Sequence, residues 1–263
     1  MRDFDNFNVN VTDDGIARLA IDSQAAMNSL SDGMTEELLW LATELDEDES
    51  IRCIVLRGSD GVFCAGGNIS SFEEDSSAAG RLRRGASMIN DVAVQLKRGE
   101  TPLVTGIDGP AVGAGFSIAL LGDITLMHED AYLQFGYSRI GLTGDGSATF
   151  YLPHHVGLQE AKRIALLNQK ISPAEAADIG LVTEVATDDE FEERLTELGE
   201  TIAAGPTKAL GKISRMLEES YARQLPDQLA EETEQIANAS KTADYVEGVT
   251  AFKEKREPSF EGQ

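Results

Sequence analysis

Two glycine-rich turns constrain this chain more than anything else in it. One is Phe63-Cys64-Ala65-Gly66-Gly67-Asn68-Ile69, the other Gly109-Pro110-Ala111-Val112-Gly113-Ala114-Gly115-Phe116. Each follows an apolar run that reads as a buried strand, residues 51–56 and 103–107, and each leads into a stretch able to start a helix. Glycine there lets the backbone turn sharply and approach a neighbour or a ligand closely. Strands alternating with helices in this way predict an α/β core. Two exposed backbone N–H groups aimed at one point would also hold an oxygen that gains negative charge during a reaction. Singly, each turn fits a tight connection or close helix–sheet packing equally well. The pair, both placed after buried strands, points to chemistry.

The rest of the pattern agrees. Residues 7–11 and 16–21 read as strands joined by an Asp13-Asp14-Gly15 hairpin turn. Residues 31–45 place Met34, Leu38, Leu41 and Leu45 at helical spacing behind Ser31 or Asp32 as a cap. Residues 76–97 do the same with Leu82, Met88, Ile89, Val92 and Leu96. Residues 112–121 read as a buried helix and 124–127 as a strand. From Leu158 onward the pattern is almost wholly helical, over 158–167, 173–179, 188–203, 206–221, 224–240 and 243–255. Gly205-Pro206 breaks that run. The expected division is therefore a core over 1–204 and a helical C-terminal domain over 205–263. Leu210, Ile213 and Leu217 give the latter an apolar stripe suited to packing on the core or on another subunit.

The chain has 263 residues, 41% of them hydrophobic, enough for a sizeable core. Asp+Glu 46 against Lys+Arg 22 leaves a net charge of −24. That balance argues against nucleic acid and anionic membrane surfaces as partners, because phosphate contacts need basic patches. The acid excess is spread along the chain, so the fold repels itself in dilute buffer. At about 1 M salt the Debye length is about 3 Å and the repulsion is screened. A halophilic cytoplasm is the expected setting, with an ordinary acidic cytosolic protein as the alternative. Cys53 and Cys64 form neither a disulfide framework nor a metal knuckle. The start, Met1-Arg2-Asp3-Phe4-Asp5, lacks a signal-peptide pattern. The longest apolar stretch, residues 110–121, is too short for a bilayer, so a soluble cytoplasmic protein is expected.

Further segments make a resemblance specific. They are Met27-Asn28-Ser29-Leu30, the two glycine turns, Leu121-Gly122-Asp123-Ile124, Phe135-Gly136 through Ile140-Gly141-Leu142, Ile171-Ser172-Pro173-Ala174-Glu175-Ala176, Gly180-Leu181-Val182, and the tail 247–256. In this order they resemble the crotonase superfamily, the enoyl-CoA hydratase/isomerase family, over nearly the whole chain. The resemblance implies a spiral of ββα units with a helical C-terminal oligomerisation domain. It implies an acyl-CoA thioester as substrate, no further cofactor, no metal, and a homotrimer or dimer of trimers. It places an oxyanion hole on the backbone N–H groups of Gly67 and Ala114. Ala26, Ala65 and Ile69 would line the adenine and pantetheine path, with Asn68, Gly115 and Tyr137 also binding substrate. Phe252 and Lys255 would approach the CoA of the same or a neighbouring subunit.

The departures from that family pattern bear on the reaction. Hydratases of the family use two glutamates, whose positions fall on Ser117 and Arg139 here. Serine near neutral pH is no base without an activating neighbour, and arginine stays protonated. Ordinary two-glutamate hydration is therefore not expected. One acid remains, because Ile140-Gly141-Leu142-Thr143-Gly144-Asp145 resembles the ring-1,2-epoxyphenylacetyl-CoA isomerase branch, in which an aspartate at this spacing moves the proton. Members of that branch also shift 3-enoyl to 2-enoyl thioesters. In an apolar pocket the Asp145 carboxyl would titrate nearer neutrality and could carry a proton from one carbon to another. An acyl-CoA isomerase is the leading expectation. Still open are a hydratase using Asp145 or Ser117, a hydrolase or dehalogenase with Asp145 as nucleophile and Tyr137 where dehalogenases carry tryptophan, and a non-catalytic acyl-CoA-binding subunit. Asp145 also fits a bare N-cap for a helix from Ala148. His128, His154 and His155 lack metal-ligand spacing, and Cys64 has no neighbouring base. Arg81, Arg83, Arg84, Lys97 and Arg98 read as a solvated helix face or as contacts for the CoA phosphates. Thermal melts at increasing KCl are expected to show a midpoint that rises toward molar salt, and a flat or falling midpoint refutes the salt adaptation.

Overall fold

The apolar runs become the inner strands of one sheet. A computed structural model describes residues 3–72 and 77–263. Its strands are β1 (Phe7–Val11), β2 (Ile16–Ile21), β3 (Cys53–Arg57), β4 (Leu103–Ile107), β5 (Ala111–Val112), β6 (Ile124–His128), β7 (Leu133–Gln134) and β8 (Glu184–Ala186). The 6-stranded sheet runs β1-β2-β3-β4-β6-β8, while β5 and β7 form a separate pair. β1 and β2 are the antiparallel hairpin, with Phe7 opposite Ile21 and Val11 opposite Ala17. The other pairings are parallel.

The helices are α1 (Asp32–Glu47), α2 (Ala78–Arg98), α3 (Ala114–Ala119), α4 (Ala148–Leu167), α5 (Pro173–Asp178), α6 (Asp188–Ala203), α7 (Thr207–Glu219), α8 (Leu225–Ala239) and α9 (Ala243–Glu254). β3 and β4 are apolar almost throughout because both faces of a parallel sheet are covered. On one face Met34, Leu38 and Leu41 of α1, Ile89 and Val92 of α2 and Phe116 of α3 pack with Ile54, Leu56 and Ile107. On the other, Phe191, Leu195 and Leu198 of α6 pack with Val55, Val104 and Leu126. Ser31 caps α1 by accepting the Met34 N–H at 3.2 Å. Asp32 is already the first helical residue.

The structure corrects the sequence reading in three places. Residues 112–121 are not one helix. β5 takes Ala111–Val112, Gly113 turns the chain at φ 58°, and α3 starts at Ala114. The helix from Ala148 and the one predicted over 158–167 are one element, α4, which runs through Pro153 and a kink at Gly157 (φ 77°), the two residues that hid their joining. The C-terminal third also contains a strand, β8, whose three residues are too few to show a period of two. Residue 76, the predicted start of the second helix, lies outside the described residues, as do Met1 and Arg2. Leu195 is 4% exposed and its side chain covers Gly106, where a Cβ would lie 2.7 Å from it. Leu195→Ala is expected to lower the unfolding free energy by about 2–5 kcal/mol, measured by urea denaturation.

Candidate active site

The first turn leaves β3 and lies directly against the second. Cys64 N–H donates to the Pro110 carbonyl at 3.0 Å, and Val112 N–H donates to the Cys64 carbonyl at 2.9 Å. A Cβ on Gly66 would sit 2.7 Å from the Val112 carbonyl oxygen, and one on Gly115 2.0 Å from that of Cys64. Backbone contact this close leaves no room for side chains. Gly66 (φ 88°) and Gly113 (φ 58°) also occupy conformations that L side chains avoid. The chain before α1 joins the stack, with Leu30 N–H on the Gly66 carbonyl at 2.8 Å and Asn68 N–H on the Leu30 carbonyl at 3.1 Å. These bonds leave other amides of the two turns without a backbone acceptor. Among the described residues the N–H groups of Gly67 and Ala114 have no acceptor. Ala114 opens α3, where a first-turn N–H has no partner inside its own helix.

Both residues line a cavity of about 560 Å³ that also contains Asp145. Asp145 is held from behind. The Tyr137 hydroxyl donates to its Oδ1 at 2.6 Å, and Ser117 Oγ lies 2.7 Å from that hydroxyl and 2.9 Å from the Asp145 carbonyl oxygen. Gly146 N–H donates to Asn90 Oδ1 at 2.8 Å, pinning the Asp145 loop to α2. Tyr137 and Ser117 are both buried. Burial raises the Asp145 carboxyl above its usual range, and the Tyr137 hydrogen bond partly opposes this. Burial first, and then the Asp145 charge, push the Tyr137 hydroxyl up, so it stays a donor. The N-cap of α4 is Ser147, with no side-chain bond. The Asp145 side chain therefore does not cap α4, which corrects the bare-cap reading.

The other expected site residues divide. Asn68 lines the cavity with Gly67, Ala114 and Asp145. Ala26, Ala65 and Ile69 do not. They sit on adjoining turns, Ala65 N–H donating to the Met27 carbonyl at 3.1 Å and Ile69 being exposed. Gly115 is pressed against Cys64, and Tyr137 supports Asp145 instead of lining the cavity. Phe252 is 86% exposed on α9, and it and Lys255 are absent from the wall. Arg139 is exposed. The basic cluster splits as well, because Arg81 and Arg84 line the cavity while Lys97 turns to Asp123 at 3.3 Å and to Glu218. Burial pushes the Cys64 thiol up to about 12, which removes it as a nucleophile. His128 Nε2 pairs with Asp188 at 3.1 Å, and His154 stacks on Tyr221 at 4.2 Å. Among the described residues no His, Cys, Asp and Glu cluster could hold a metal. None of their helices is long and apolar enough to cross a membrane.

Residues 11–263 match the sequence profile of the enoyl-CoA hydratase/isomerase family. The chain belongs to that family. It is 30% identical over 251 residues to 1,2-epoxyphenylacetyl-CoA isomerase of Escherichia coli strain K12, across 95% of this chain and 96% of the relative. It is 32% identical over 250 residues to a protein of Rhodobacter capsulatus named as a probable enoyl-CoA hydratase, with 95% and 96% covered. The crystal structure of enoyl-CoA hydratase from Bacillus anthracis superposes with a TM-score of 0.91 at 27% identity, over 98% of this chain and 100% of that one. The α/β architecture with C-terminal helices is thus the crotonase fold, and the family's activity is on acyl-CoA thioesters. Tyr137→Phe removes the donor that favours the ionised Asp145 and leaves burial unopposed. The Asp145 carboxyl is then expected to titrate at higher pH than in wild type, followed by carboxyl-carbon NMR, and an unmoved titration refutes the contact.

Proposed function

We propose that this protein is an acyl-CoA isomerase that moves a double bond through an enolate, of the 3-enoyl to 2-enoyl type or the epoxyphenylacetyl type. In the 3-enoyl case the ionised Asp145 takes a proton from C2. The electron pair shifts onto the thioester oxygen, which accepts hydrogen bonds from the Gly67 and Ala114 N–H groups. The same carboxyl then returns the proton to C4, the double bond closes between C2 and C3, and no atom is gained or lost. Such donors stabilise charge that forms only along the reaction path. A carboxyl raised toward neutrality suits both halves of the transfer.

The observation that carries this reading is a single hydrogen-bonded carboxyl in a cavity wall with two unpartnered amides. Hydration in this family draws on two carboxylates, and their positions hold Ser117 and Arg139. Ser117 is committed to Tyr137 and the Asp145 backbone, and Arg139 is exposed. The other acid in the wall, Asp32, is exposed in the first turn of α1. The named Rhodobacter capsulatus relative favours a second reading, a hydratase working through Asp145. We also infer a homotrimer or dimer of trimers, supported by Leu217, Leu225, Leu229, Ile236 and Phe252, all exposed on α7, α8 and α9. In such an assembly Phe252 and Lys255 would serve a neighbouring protomer's CoA.

Incubation with a 3-enoyl-CoA is expected to give the 2-enoyl thioester without uptake of labelled water oxygen, whereas uptake supports the hydratase. Asp145→Asn is expected to lower kcat by about 10²- to 10⁴-fold while leaving CoA affinity nearly intact. Unchanged turnover removes Asp145 from the mechanism.

A further inference from the structure

Asp145 stands on a loop that local preference does not hold in one shape. Between the turn Tyr137–Ile140 and α4 the chain carries Gly141, Gly144 and Gly146. Glycine loses more freedom than any other residue when a loop is fixed. Asp145 opens a four-residue turn that Ala148 N–H closes on the Asp145 carbonyl at 3.2 Å. Its central residues, Gly146 at φ 57° and Ser147 at φ 75°, both lie in the left-handed region, the pattern of a type I′ turn. Gly146 suits that pattern and Ser147 does not. A side chain at such a φ is strained. The Ser147 hydroxyl oxygen is also buried, with no hydrogen-bond partner among the described residues, which costs further free energy. The bend beside the acid is therefore unfavourable on its own and has to be held from outside.

Two side chains hold it, one at each side of the same peptide group. Ser117 Oγ of α3 lies 2.9 Å from the Asp145 carbonyl oxygen. Asn90 Oδ1 of α2 accepts the Gly146 N–H at 2.8 Å. Among the described residues the neighbouring amides of Thr143, Gly144 and Ser147 have no acceptor, so little else ties this stretch down. Gly146 sits between the two helices, where a Cβ would lie 3.0 Å from Ser117 Cβ and 3.3 Å from Ile89 Cγ1. Ile89 faces the cavity, whereas its neighbour Asn90 is exposed and forms no part of the cavity wall. Asn90 thus reaches the acid from outside the cavity, through the main chain alone.

We infer that Asn90 is a positioning residue, which by accepting the Gly146 N–H keeps the strained turn closed and the Asp145 carboxyl against Tyr137 in the cavity wall. The inference rests on the isomerase reading for the work that Asp145 does. A misplacement of about 1 Å costs about 10²-fold in rate. Asn90→Ala is accordingly expected to lower kcat with a 3-enoyl-CoA by about 10²-fold. KM and CoA affinity change little, because Asn90 lies outside the wall. The melting midpoint stays near that of wild type, since alanine is the better helix former at an exposed site and offsets the lost hydrogen bond. Asn90→Asp keeps an oxygen able to accept from the N–H and is expected to restore most of kcat. Wild-type kcat in Asn90→Ala overturns the inference, and so does an equal loss in Asn90→Asp. Neither result touches the isomerase reading, which fails if wild type does not isomerise the thioester or if Asp145→Asn keeps its turnover. The hold on the carboxyl is then followed by carboxyl-carbon NMR. Burial is the larger influence on Asp145 and raises it, so release of the turn in Asn90→Ala is expected to let it titrate at lower pH than in wild type. An unmoved titration overturns the inference.

Discussion

Direct contact between two main-chain turns is the constraint on which the candidate site depends. Side chains are excluded from it, since a Cβ on Gly115 would meet the Cys64 carbonyl oxygen at 2.0 Å and one on Gly66 the Val112 carbonyl oxygen at 2.7 Å. Once the turns touch, the hydrogen bonds between them consume the amides of Cys64 and Val112, and Leu30 and Asn68 complete the stack. The Gly67 and Ala114 amides remain over as a geometric result of that pairing. Both residues line the cavity, so a group entering it can meet them. The parallel pairing of β3 with β4 delivers both turns to the same end of the sheet, beyond the C-termini of the two strands.

Asp145 is controlled by opposing influences of unequal reach. Burial acts on the whole carboxyl and raises it, whereas Tyr137 acts on one oxygen and lowers it. Tyr137 is in turn held by Ser117, which is fully buried in α3, the helix that Ala114 begins. One short helix therefore places its first residue, Ala114, in the cavity wall and supports Asp145 from behind at its fourth. Ser117 is thus part of the support of Asp145.

Much of the fold was legible because burial writes a period into sequence. α6 spans the residues that its apolar spacing predicted, and β1 and β2 show the pattern of a hairpin with an aspartate-glycine turn. The strands before the two glycine turns were likewise legible as apolar runs. The continuity of α4 was hidden because Pro153 and Gly157 are helix breakers by local propensity, and packing overrides them. β8 was hidden because three residues carry no period. The role of Tyr137 could not be read at all. It sits in a single helical turn outside the regular elements, and its bond to Asp145 depends on how two loops fold back on each other. Asn90, which fixes that fold-back, looks from sequence like any polar residue on an amphipathic helix.

Cys64 lies at the seam between the two turns, fully buried, its thiol pushed up to about 12. Its protection and the contact between the two turns are the same fact. An alkylating reagent can reach the sulfur only during moments when the turns part, and only then are the amides dispersed. The protein thus carries a built-in chemical clock, in which the slow rate of thiol labelling counts how often the machinery comes apart.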